Sequence, residues 1–277
     1  MINSMEENKY SAKIKFNLGV ISGEISRFFK IGKTEPDPSL IPAQRFLQLF
    51  NDHGIANSQI PRFIPEITLD KSRDCSTLLP ALTDEIMEKA SQLFKVRREW
   101  LEGVGNKIYD CYWWYQNPSR FFEDLKMISE QPLFPIIAFC NGRAINKNSN
   151  IVLVLAEVIS HIGENEICRY YICEDEWSWD YYKSRIQLKA MARIAHNLLR
   201  VTIPIYSVDS KIMGEIRSGF RIPSPYLSRK FEFKDVRLED FALSPEESIK
   251  SKESDELSNV KEFILKCDLQ KYQHRVS

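Results

Sequence analysis

Long apolar runs are absent. No stretch of the 277 residues approaches the ~20 apolar residues that a membrane helix needs. The longest candidate, Ile151–Ile159, is short and carries Glu157. Met1–Tyr10 holds Glu6 and Glu7 and no apolar core, so no secretory signal is expected there. The six cysteines form no Cys-x-x-Cys pair, and none of the four histidines stands near a cysteine in metal-ligand spacing. A zinc site needs clustered soft ligands, so no metal is expected. Free thiols of a reducing compartment fit better, which points to the cytoplasm. Net charge is missing too: 38 Lys and Arg balance 38 Asp and Glu. That excludes a protein that holds nucleic acid by bulk electrostatics alone. No Gly-x-Gly-x-x-Gly, phosphate loop, Gly-x-Ser-x-Gly or His-Glu-x-x-His occurs. Accordingly no cofactor and no enzymatic activity are expected.

What remains is an ordinary globular composition, 43% hydrophobic and 27% charged, in a length for one or two domains. A chain of this size buries roughly 70–75% of its unfolded surface, enough for a real core. The charge is unevenly placed. Lys183, Arg185, Lys189, Arg193 and Arg200 crowd residues 181–200, which contain no acid, just after the acidic and aromatic stretch Glu174–Asp180.

Periodicity divides the chain. The two prolines of Thr34–Ser39 mark a break. From Pro42 to Gly103 the spacing is helical. Phe46, Leu47, Leu49 and Phe50 make one apolar face, and Gly54 follows as a terminator. Asn57 and Ser58 are cap residues before Ile60, Phe63 and Ile64, with Pro61 in the first turn. Thr83 caps a helix through Phe94, and Trp100-Leu101 forms a short one ended by Gly103. After Gly105 the pattern changes. Helices are expected over Ser119–Ser129 and Tyr181–Leu199, and strands over Phe134–Phe139, Ile151–Leu155, Glu166–Cys173 and Thr202–Val208. Ser244 to Glu256 reads as a linker and Asn259–Leu269 as a terminal helix. The fold class predicted is α+β: an all-α N-terminal domain followed by a mixed α/β domain with one sheet. The boundaries are a 1–39 extension, a 40–106 helical domain, the 107–243 α/β domain and a 244–277 charged linker with its helix.

Leu82–Gly103 resembles the last two helices of the Cro-type, lambda-repressor-like (XRE) helix-turn-helix domain, through Phe94, Val96 and Trp100-Leu101-Glu102-Gly103. Arg45–Ile64 is similar to that family's core: Arg45–His53 as supporting helix, Gly54 at the turn, Ala56–Ile64 as recognition helix. The resemblance covers about a fifth of the chain. It implies a sequence-specific transcriptional regulator that binds double-stranded DNA as a homodimer, because such domains read two half-sites. Asn57, Ser58, Gln59 and Arg62 would face bases. Arg45, Lys95, Arg97 and Arg98 would contact phosphates. The chain departs from the family in the long Pro65–Leu82 connection, in Pro61 and in lacking an obvious first helix. These departures favour an alternative, a protein-interaction module whose helix-turn-helix-like unit no longer binds DNA. Gly19–Phe29 matches Gly54–Ile64 at four positions, either as a second recognition-like helix or by chance.

In the second domain Arg185, Lys189 and Arg193 share one face of the predicted helix, since residues four apart stack. This basic stripe suits DNA phosphate, an acidic ligand or a protein partner; the blander reading pairs it with the preceding acidic loop. Trp113, Trp114 and Tyr115 read as core, with a ligand cover or a dimer interface as alternatives.

Overall fold

The computed structural model describes residues 37–128, 136–199, 202–243 and 256–272. The Gly19–Phe29 similarity and the 244–255 stretch lie outside these. A 3-10 turn, Pro38–Leu40, opens the described chain. Its proline stands at the first position, where no N–H is needed, so the break expected there becomes a helix start. Helix α1 (Ile41–Asp52) follows with Ala43, Phe46, Leu47, Leu49 and Phe50 buried. Gly54, at φ +80°, reverses the chain. Next come a 3-10 helix over Asn57–Arg62, the short α2 (Cys75–Leu78), α3 (Asp84–Phe94) and α4 (Arg98–Leu101). Thr83 caps α3 by accepting a hydrogen bond from the Ile86 N–H.

Strand β1 (Cys111–Tyr112) leads into α5 (Pro118–Ile128), β2 (Ile136–Cys140), β3 (Asn150–Ile162), β4 (Asn165–Cys173) and β5 (Trp177–Ser178). Helix α6 (Tyr182–Leu199), β6 (Pro204–Ser207), α7 (Ser210–Arg217), β7 (Glu232–Arg237) and α8 (Leu257–Lys266) complete the set. The strands form one mixed sheet in the order β1-β4-β3-β2-β6-β7, with β5 paired to β3. β2, β3 and β4 are antiparallel neighbours, whereas β6 runs parallel to β2 after the α6 crossover.

Side chains alternate across the pleat, and this sorts the core. Ile137, Phe139, Val152 and Val154 point to the N-terminal helices. Ala138, Cys140, Leu153 and Leu155 point to α5, α6 and α8. The architecture is α+β, with the sheet between two helical layers. The core runs straight across the boundary expected at 106/107: one cluster joins Phe46, Phe50 and Phe94 to Tyr109, Val154 and Tyr170. Of the aromatic trio, Trp114 is buried and donates to Asp124, while Trp113 is 58% exposed. Among the described residues no helix is long and apolar enough to cross a membrane.

Candidate interaction surfaces

The segment expected as a recognition helix, Ala56–Ile64, is six residues of 3-10 helix. Pro61 has no N–H for the next helical hydrogen bond, and Ile55, Ile60 and Ile64 are pulled into the core. Gln59 folds back along its own segment, and its side-chain oxygen accepts a hydrogen bond from the Ala56 N–H at 2.9 Å. That oxygen is then already engaged by the backbone. Asn57 Oδ1 is buried and finds no donor among the described residues. Only Ser58 and Arg62 of the four expected base contacts are exposed.

The expected phosphate contacts behave differently from one another. The Arg45 guanidinium donates to the carbonyls of Trp100 and Gly105, the latter at 2.6 Å, and covers the Trp100 ring. It closes the end of α4. Arg98 is held by Glu102 at 2.7 Å, by Glu88 at 3.2 Å and by Asp84. Those carboxylates raise its pKa. Arg97 lies 3.6 Å from Glu99 and 3.7 Å from Asp110. Lys95 alone is exposed, in the left-handed cap of α3 at φ +56°. Residues 37–106 carry eight Lys and Arg against ten Asp and Glu. This unit therefore carries no net positive charge.

The basic stripe of α6 is covered, neither free nor solvated. Residues Ile186 to Ala195 are all buried. Arg185 grips Glu256 with its Nε 3.1 Å from both carboxylate oxygens, and Lys189 Nζ reaches the same group at 2.7 Å. Arg193 donates to the Ala242 carbonyl at 3.0 Å. The acidic loop expected to neutralise the stripe contributes backbone instead: the Trp179 and Asp180 carbonyls accept from Arg185. Glu256 is the acid that does so. Its pKa is drawn down to about 2, first by the Arg185 hydrogen bonds and then by Lys189. Trp179 lies under the Lys189 ammonium at 5.4 Å, and Tyr182 under Arg185 at 5.8 Å.

A second polar cluster sits where the helical unit meets the sheet. His53 is buried between Phe94 and Tyr170, with ring centroids 4.2 and 5.7 Å away. Its Nδ1 bonds the Leu49 carbonyl at 2.7 Å, and burial pushes its pKa down to about 4. The next residue back, Asp52, accepts from Gln48 at 3.2 Å and is pushed up to about 6 by burial, against the pull of Arg221. Arg221 is itself tied to Glu215 and to the Tyr226 hydroxyl. Among the described residues no group of His, Cys, Asp and Glu could hold a metal ion.

Sequence reasoning missed Glu256 and Trp179 at the α6 site. The available signal was the apolar content beside the stripe: Ile186, Leu188, Met191, Ala192 and Ala195 leave only a narrow polar strip on that helix, and a helix that is apolar on most of its sides is covered on most of them. Comparison with protein-family models, curated proteins and solved structures returns no match to this chain.

Proposed function

We propose that this chain is a protein-interaction module whose helix-turn-helix-like unit caps one face of the sheet and does not read DNA. The observation that carries this is the fate of the expected phosphate contacts. Arg45, Arg97 and Arg98 are spent on the protein's own carbonyls and carboxylates. Phosphate binding draws its free energy from releasing counterions to cations held ready for it. Here three of four such cations would first have to leave internal partners.

A second reading, a DNA-reading regulator acting as a homodimer, is favoured by the exposed Ser58, Arg62 and Lys95. Duplex binding against salt separates the two. Wild type and the double variant Ser58→Ala, Arg62→Ala would be compared on fragments from upstream of the gene and on scrambled controls. The interaction module shows no preference for any fragment. A preference that falls with salt and disappears in the variant establishes the second reading and sinks the first.

A further inference from the structure

We propose that Asn141 is a self-modifying site: the Gly142 amide nitrogen attacks the Asn141 side chain, and water opens the resulting ring to leave aspartate or isoaspartate where β2 ends. The reaction needs no partner, so it stands whether the chain binds a protein or DNA.

Asn141-Gly142 is the only asparagine–glycine pair in the chain. Glycine has no Cβ to crowd the approach of its nitrogen to the preceding side chain, and its backbone turns freely. The fold adds to this. Asn141 and Gly142 are half-buried in a bend just past Cys140, the last residue of β2. The Asn141 Oδ1 accepts from the Asn150 N–H at 2.7 Å, while the Asn141 N–H donates to the Asn150 carbonyl at 3.4 Å. The side-chain carbonyl thus stands in for the backbone carbonyl in the last rung between β2 and β3. A donor held on that oxygen draws electrons from Cγ and meets the negative charge that the oxygen gains when a nitrogen adds. Among the described residues the Gly142 N–H meets only the Cys140 thiol, a weak acceptor. No ladder bond holds that nitrogen back.

The atoms balance. A solvent base takes the Gly142 amide proton as the nitrogen bonds to Asn141 Cγ. The Cγ–Nδ2 bond then breaks, and the side-chain nitrogen leaves as ammonia. Nitrogen and carbon are neighbours in one chain, so ring closure is unimolecular. Water adds to either carbonyl of the ring. One opening gives aspartate; the other gives isoaspartate, whose main chain runs through the former side chain and is one methylene longer. One water enters and one ammonia leaves. The product adds a negative charge to a chain in which 38 Lys and Arg balance 38 Asp and Glu. It falls beside Asn150, whose Nδ2 donates to Glu176 at 2.7 Å and whose backbone pairs with Ser178 of β5. The new carboxylate therefore repels an acid already at this corner and loosens the meeting of β2, β3 and β5.

The test incubates the full chain at pH 8 and 37 °C and follows each asparagine by peptide mass spectrometry, with isoaspartate resolved from aspartate by chromatography. A free peptide of residues 137–146 shows what the local sequence does without the fold. Conversion at Asn141 in the folded chain is expected to be at least as fast as in the peptide. It is expected to be at least tenfold faster than at Asn148 in the same loop, and to slow at pH 6, where less base is present to take the amide proton. Gly142→Ala is expected to slow conversion at least tenfold. A Cβ there meets only the Ala144 carbonyl oxygen, at 3.7 Å, so the fresh variant should melt like wild type. Conversion tenfold slower in the folded chain than in the peptide overturns the proposal, because the fold then protects Asn141. An undiminished rate in folded Gly142→Ala also overturns it, since the attacking nitrogen would not be that of residue 142.

Discussion

At the scale of single residues, three cations of this protein are engaged by its own groups. Arg45 closes a helix end, Arg98 bridges three acids, and Lys189 is buried against Glu256. A sequence shows the charge of each and not its direction, because long side chains reach partners far along the chain. Arg45 and Gly105 are 60 positions apart, and Arg185 and Glu256 are 71. Asp52 offers a direct check. Gln48 lies on its own helix, Arg221 and Tyr226 on the segment after α7, and Tyr109 before β1. Folding raises its pKa from 3.8 to about 6. The folded protein then binds the proton more tightly than the unfolded chain. Stability from this group is full below about pH 4 and is lost as pH rises through 6. Asp52→Asn is expected to stabilise the protein at pH 7 by roughly 1–3 kcal/mol, at 1.36 kcal/mol per unit. The gain should fade at pH 4. Melts of both proteins at the two pH values measure it, and an unchanged or lowered Tm at pH 7 refutes it.

At the scale of elements, local pattern was readable wherever one face met one core. The period-3.6 face of α1, the Thr83 cap of α3 and the short continuous apolar runs of β2 and of the first half of β3 all have local causes. Ala56–Ile64 was misread because Pro61 and three inward isoleucines tighten it into a 3-10 turn. Strand β3 runs to Ile162, seven residues past its predicted end, since β4 pairs with it through a register shift between Val158 and Ser160. One turn is more demanding than its sequence suggests. Gly219 has φ +75°, and its carbonyl accepts from the Ile108 and Tyr109 N–H groups at 2.7 and 3.1 Å. A Cβ there would stand 2.6 Å from the Tyr109 carbonyl oxygen. Gly219→Ala is therefore expected to cost about 2–4 kcal/mol, more than the usual glycine penalty, because backbone must move. Chemical denaturation measures this; a loss under about 0.5 kcal/mol, the range of ordinary surface changes, would show that the turn can shift.

Across the whole molecule the helical unit and the sheet share one core. Phe50 meets Phe94 edge-on at 5.2 Å, Phe94 meets His53, and His53 stacks on Tyr170 of β4. Two domains joined by a linker would melt separately, whereas a shared core unfolds as one unit. Calorimetry of the full chain is expected to give a single transition. Two resolved transitions would restore an independent helical domain and the freedom it needs to enter a DNA groove.

The sequence by itself determined the α+β class, most helices and strands, and the change of pattern near Gly105. These follow from short-range periodicity and caps, which act between residues a few positions apart. Tertiary structure alone decided that the boundary carries a continuous core and that the recognition-like segment is clamped. It also decided that the α6 stripe is filled by Glu256. Each of these depends on which distant residue arrives opposite a given face, and burial then fixes whether a charge meets water, another charge or a carbonyl.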